Sequence, residues 1–342
     1  MSDQTISTSV PRRLQLGAGV VTALAVLVVS VGLAVALGAV PVPLSTVAGV
    51  LANKLVAGAV DVTWSAGREA IVWDIRFPRA LLAALVGAAL QAVTRNPLAD
   101  PHLLGISSGA AFGAILALLH TGLFLGLLTV PLLAFGGALV AALLVVSVAH
   151  VAGATSADRL VLTGVAISFI VMAGANVLIF LGDPRATHTV VFWMLGGLGL
   201  AQWSHLIWPV VVLVPTGLWL WRRGPEMNAM TVGDETAATL GVAPARFRLQ
   251  VFVVGALITG VMVAFSGIIS FVGLMMPHIV RLVVGGNNSR VLPLSALFGA
   301  IFLVWADVAA RLIMAPEDMP IGVVTGLIGG AFFVWLLARR RM

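Results

Sequence analysis

Long apolar runs separated by short polar breaks dominate this chain, and a helix needs about 20 apolar residues to cross a bilayer. Runs near that length occupy residues 14–40, 80–93, 103–119, 130–151, 160–181 and 206–221, then 249–265, 268–284, 292–310 and 321–338. The pattern predicts an all-α, polytopic membrane protein of about ten transmembrane helices, split six and four by a polar centre. Glycine and alanine recur inside the runs, which lets helix backbones approach closely. Trp193, Trp203, Trp208, Trp219 and Trp221 lie near run ends, where indoles favour the interface.

The polar centre, residues 222–248, reads RRGPEMNAMTVGDETAATLGVAPARFR. Gly233, Asp234 and Glu235 open a short helix with carboxylates in its first turn, where they offset the helix dipole. Ala238 and Leu240 fall inside it, and Gly241 closes it in a left-handed cap. Ala243-Pro244 starts a second short helix, followed by Arg246 and Arg248. Neither is long enough to stand alone in water, so each needs something to dock on. The other long connection, 41–79, contains a possible helix over 45–56 with Ser45 as its N-cap.

Composition sharpens the class. The chain is 60% hydrophobic and 9% charged, against roughly 25% charged in soluble domains. Its net charge of +6 would suggest nucleic acid in a soluble protein, but the positions of the cations explain it differently. Sorted by alternate connections, Arg12, Arg13, Arg95, Arg159, Arg222, Arg223, Arg246, Arg248, Arg281, Arg290 and Arg339 to Arg341 fall on one side. Lys54, Arg68, Arg76, Arg79, Arg185 and Arg311 fall on the other. The positive-inside rule then expects both termini and 222–248 in the cytosol, an even number of spans and no nucleic-acid partner. The polar start MSDQTISTSVPRR lacks a small-residue cleavage site, so the first span is read as uncleaved.

Candidate chemistry is sparse. There is no cysteine, which excludes disulfides and thiolate metal sites. The lone lysine, Lys54, is not in a phosphate-binding GxxxxGK loop, so this chain has no P-loop with which to hydrolyse nucleotide. Six scattered histidines form no metal-ligand spacing and are read as interfacial or structural, with no metal and no cofactor expected. Ser107 and Ser108 in GISSGA lack acid and base partners, and a tight glycine-flanked helix packing site is the better reading. Asp307 and Arg311, four apart, form either an intrahelical ion pair or a pair in which Arg311 faces outward water and Asp307 orients it. Arg76 and Arg79 flank Phe77-Pro78, and the proline fixes their relation. Three outward arginines against the charge bias suggest a docking surface for acidic side chains of a soluble partner. On the opposite side, 94–105 with two prolines and 153–159 with small polar residues could line a constriction.

Several of these segments together resemble the FecCD permease family, the membrane subunits of type II ABC importers for iron-siderophore complexes, haem and cobalamin. They are RFPR (76–79), RNPLADPHLLGISSGA (95–110), FWMLGGL (192–198), VGDETAATLGV (232–242), SFVGLMMPHIVRLVVG (270–285) and ADVAAR (306–311). The resemblance implies one transmembrane permease domain over 1–342, in a homodimer of ten-helix subunits in the bacterial inner membrane. A separate ATPase would sit on the cytosolic face and a substrate-binding protein outside. By motif position, Arg76, Arg79 and Arg311 would receive glutamates of the binding protein. Asn96, Pro97 and Leu98, with Ser156, Ala157 and Asp158, would form cytosolic gate loops. Residues 232–246, including Gly233, Asp234, Glu235, Ala238, Leu240, Gly241 and Arg246, would couple to the ATPase. The cargo it implies is an iron-siderophore first, then haem, then cobalamin. Three departures stand out. The second helix, 80–94, is about two turns short of the family's length and spans only about 22 Å. Ile268 and Ala331 stand where the family has helix-kinking prolines. An ion-coupled secondary transporter is the competing class, but it would need chained acids and histidines at mid-membrane. An intramembrane enzyme would need a catalytic set that is missing.

Overall fold

The computed structural model describes residues 12–93, 105–153 and 157–339. In chain order the helices are α1 (Arg12–Ala36), α2 (Leu44–Leu55), α3 (Ala66–Ala70), α4 (Phe77–Val93), α5 (Ile106–Leu116), α6 (Thr129–Val151), α7 (Ala157–Leu181) and α8 (Thr187–Met194). They continue with α9 (Trp203–Arg222), α10 (Gly224–Val232), α11 (Asp234–Thr239), α12 (Pro244–Ser266), α13 (Val272–Val284), α14 (Asn288–Ile313) and α15 (Ile321–Arg339). Wider π-helical turns, Ile71–Arg76 and Ala117–Thr121, join α3 to α4 and extend α5.

Among the described residues seven helices are long and apolar enough to cross a membrane: α1, α6, α7, α9, α12, α14 and α15. Ten were expected, and two of the remaining three are shorter for a local reason. Gly105, at φ 81°, delays the start of α5 to Ile106. Gly267, at φ 64°, ends α12, and the chain stays non-helical until Val272. The break therefore occurs without the family's proline, because Gly267 adopts a left-handed backbone that other residues avoid. A Cβ there would also collide with the Trp193 carbonyl. α15, with Ala331 in place of proline, is unbroken.

The third, α4, is a short second helix of 17 residues, but helical structure reaches back beyond its start. Helical structure is continuous from Ala66 to Val93, roughly 40 Å at ~1.5 Å per residue. Pro78 lies in this run because the π register precedes it. Phe77 N–H bonds to Val72 O five residues back, and Pro78, having no N–H, leaves the Trp73 carbonyl free. That carbonyl accepts the Trp203 indole at 2.8 Å, which ties the π turn ahead of α4 to the start of α9.

Two further expectations change. Ser45 is inside α2 and does not cap it; Pro43 precedes the helix, and its carbonyl accepts from Thr46 and Val47. Residues 243–248 are the first turns of the long α12 and not a separate short helix, since apolar residues follow without a break.

Packing divides the bundle around α12. One core joins α1, α4, α9, α13, α14 and α15, and another joins α5, α6 and α7, with α12 contributing to both. Gly87 of α4 lies against the backbone of Gly299 and Ala300 on α14. Gly109 and Gly113 of α5 meet Leu133 and Gly137 of α6 in the same way. The GISSGA segment is thus a packing site, with Ser108 Oγ donating to the Gly105 carbonyl at 2.8 Å.

Candidate functional site

One end of the bundle is organised by the three predicted arginines, all of which are buried, with Arg76 at 7% exposure and Arg79 and Arg311 at 8%. A helix leaves its last carbonyls without partners, and the end of α1 is completed from outside. Arg76 Nη1 donates to Val35 O and Ala36 O at 2.9 and 3.1 Å, and its Nη2 donates to Val40 O at 2.6 Å. Arg311 Nη2 and Nη1 donate to Ala34 O and Leu37 O at 2.9 and 2.7 Å. Two cations at a helix C-terminus also complement its dipole.

Asp307, 1% exposed, links this cap to α4. Its Oδ2 accepts from Arg311 Nε at 3.0 Å and its Oδ1 from Arg79 Nε at 2.8 Å. Arg79 Nη1 then reaches Asp318 Oδ2 at 2.5 Å, in the connection between α14 and α15. Of the two readings of the Asp307–Arg311 pair, the structure has the intrahelical ion pair, and Arg311 does not face water. Its fork is directed at α1 and Asp307, because two backbone carbonyls and a carboxylate offer better partners than an open interface. Asp318 was not singled out from sequence; it lies 239 residues from Arg79 with no local motif to mark it.

Beside this end, Lys54 Nζ pairs with Glu69 at 2.8 Å and the Trp64 indole donates to Glu69 at 3.2 Å. These contacts, Lys54 first, hold the Glu69 carboxyl below its ordinary range.

The polar centre forms the second site, at the end of the bundle where α14 begins. α11 starts after Gly233 and ends in a left-handed Gly241, with Val242 N–H bonding to Ala237 O at 3.0 Å. Asp234, Glu235, Ala238, Leu240, Gly241 and Arg246 are exposed and Gly233 is half-buried. Val232 and Leu240 are 71% and 68% exposed, so the pair α10–α11 presents acids beside bare apolar side chains. Arg248 Nη2 binds both carboxylate oxygens of Asp234 at 2.8 Å, fixing α11 to α12.

α10 was not foreseen, and it is what anchors the pair. Asn228 Oδ1 accepts from the Asn288 backbone and side chain at 2.9 and 2.7 Å, and its Nδ2 donates to Asn287 at 3.2 Å. The Trp221 indole adds a bond to Ser289 O at 3.2 Å. The polar centre thus docks partly on the start of α14.

Asn96, Pro97, Leu98 and Ser156 lie outside the described residues. Ala157 and Asp158 open α7, with their side chains outside the description. An apolar cavity of about 330 Å³ between α5, α6 and α7 is walled by Phe112, Leu133, Val140 and several glycines. Among the described residues no three His, Asp or Glu side chains come together. His205 and His278 pack against Phe265 and Phe332.

Such a bundle, with membrane-length helices, a buried ionic cluster at one end and an exposed helix pair at the other, defines a polytopic membrane protein. The chain matches the FecCD transport family over residues 7–339 and belongs to that family. It is 37% identical over 292 residues to the hemin transport system permease protein HmuU of Yersinia pestis, covering 81% of this chain and 87% of the relative. It is 38% identical over 288 residues to the vitamin B12 import system permease protein BtuC of Citrobacter koseri, covering 81% and 86%. A solved structure described as an inward-facing metal-chelate type ABC transporter superimposes with a TM-score of 0.77 at 26% identity, covering 94% of this chain and 98% of that one. The chain is an ABC importer permease of the metal-chelate class and not an enzyme. Permeases of this family work with an ATPase and a substrate-binding protein. Family membership sets aside the ion-coupled secondary transporter.

Proposed function

We propose that the chain is one ten-helix domain, residues 1–342, of a homodimeric importer in the bacterial inner membrane, with both termini and 222–248 cytosolic. The observation that carries this reading is the exposed α10–α11 pair in a chain without a P-loop. Val232 and Leu240 are bare apolar side chains of a kind that favours burial against a partner. Gly233, Asp234, Glu235, Ala238, Leu240, Gly241 and Arg246 would seat in the ATPase. Its closure would move α10, α14 through Asn228, and α12 through Asp234–Arg248. Residues 96–98 and 156–158 would then open or close the cytosolic mouth. The opposite face, centred on Arg76, Arg79 and Arg311, would receive the binding protein.

The cargo is read as an iron-siderophore complex. A second reading, haem or cobalamin, is favoured by the hemin and vitamin B12 relatives. The test is ATP hydrolysis and uptake by the chain reconstituted with its ATPase and binding protein, offered a ferric siderophore, hemin or cobalamin. Stimulation by the siderophore alone is expected; stimulation by hemin or cobalamin alone establishes the second reading, and no dependence on the ATPase overturns the mechanism.

A further inference from the structure

The three arginines proposed for docking are not equivalent. Arg76 and Arg311 are held by backbone carbonyls of α1 and its exit, at Ala34, Val35, Ala36, Leu37 and Val40. Those acceptors belong to the main chain of a packed helix end and cannot leave without unwinding it. Arg79 differs. Its Nε is held by Asp307, which is 1% exposed, but its Nη1 is held by Asp318, whose side chain is 37% exposed. Asp318 lies in the connection 314–320, and the exposed Gly199 runs beside the pair: a Cβ on it would lie 3.8 Å from both Arg79 Nη1 and Asp318 Oδ2. Gly199 adds no side chain over the pair, and Asp318 is its exposed member.

Resting on the docking reading above, we infer that Asp318 occupies the place of a partner carboxylate. The free permease satisfies Arg79 with its own acid, and an acidic side chain of the binding protein enters by exchanging with Asp318. Exchange keeps a second carboxylate on Arg79 beside Asp307 throughout, so the nine-tenths buried guanidinium keeps both of its acidic partners. It also keeps the local charge constant. Specificity follows from the same geometry, because a partner lacking a protruding acid has nothing to replace Asp318.

The full chain in lipid nanodiscs tests this with two probes, a fluorescent hexaglutamate peptide and the arginine reagent phenylglyoxal read by mass spectrometry. Asp318→Asn is expected to raise modification of Arg79 several-fold and to tighten peptide binding about tenfold at low salt. Arg79→Gln in the Asp318→Asn background is expected to remove that gain. Asp318→Ala repeats the measurement in case the amide forms its own bond to Arg79. Equal peptide binding in wild type and both Asp318 variants, still lost with Arg79→Gln, overturns the exchange while leaving docking intact. Arg79 reactive in the Asp318 variants with no peptide bound to any of them overturns docking at this face, and the exchange with it.

Discussion

Asp307 is the residue on which the buried ionic cluster depends. It sits between Arg79 and Arg311 and is almost inaccessible, so removing its charge leaves two buried guanidinium groups short of a partner. Breaking such a pair costs about 3–5 kcal/mol, whereas removing a partly exposed partner such as Asp318 costs ~1 kcal/mol or less. Asp307→Asn is therefore expected to lower the thermal midpoint in detergent by far more than Asp318→Asn. Equal shifts for the two variants would show that the cluster is not held from Asp307. Arg76 and Arg311 belong to the same arrangement: a guanidinium fork reaches several carbonyls at once, which a lysine ammonium cannot reproduce.

At the scale of elements, helix pairs are set by glycine contacts. The α4–α14 crossing has Gly87 against the Gly299 carbonyl, with no room for a side chain at Gly87. Gly87→Leu must push the helices apart, and overpacking of this kind costs about 1–3 kcal/mol or more. Because α14 carries Asp307, the same substitution is expected to loosen the Arg79–Asp307 contact from a distance, read as faster hydrogen exchange in residues 34–42. Unchanged exchange there would mean that the two helices adapt locally. The asparagine cluster at Asn228 plays the corresponding part at the other end of α14, where it fixes α10 to that helix.

For the whole molecule, α14 sets the separation of the two sites. Its 26 residues span about 39 Å, long enough to cross the bilayer core. The acidic, exposed connection after α14 and the exposed helix pair near its start are then expected on opposite sides of the membrane. The absence of native cysteine makes this direct to measure. Glu317→Cys should react with an impermeant maleimide from outside intact cells, and Ala243→Cys only after permeabilisation. Labelling of both from the same side would reverse the assignment of docking and coupling faces.

What the sequence determined by itself was the membrane class, the helical architecture, the absence of a P-loop, the short helix at 234–239 and the packing role of GISSGA. All of these follow from local hydrophobicity, glycine spacing and turn chemistry, which are written in adjacent residues. The Asp307–Arg311 pair was legible for the same reason, being one helical turn apart. The tertiary structure alone decided that the second helix runs back through a π turn to Ala66, and that residues 243–248 belong to the long α12. It alone decided that Arg76 and Arg311 are buried caps on α1, that Arg79 is buried between Asp307 and Asp318, and that Asp318 and Asn228 hold the two ends. Those contacts join residues from 36 to 277 positions apart, and no local pattern encodes which distant carbonyl or carboxylate a guanidinium will meet. Only the packing of α1, α4 and α14 brings them within hydrogen-bonding distance.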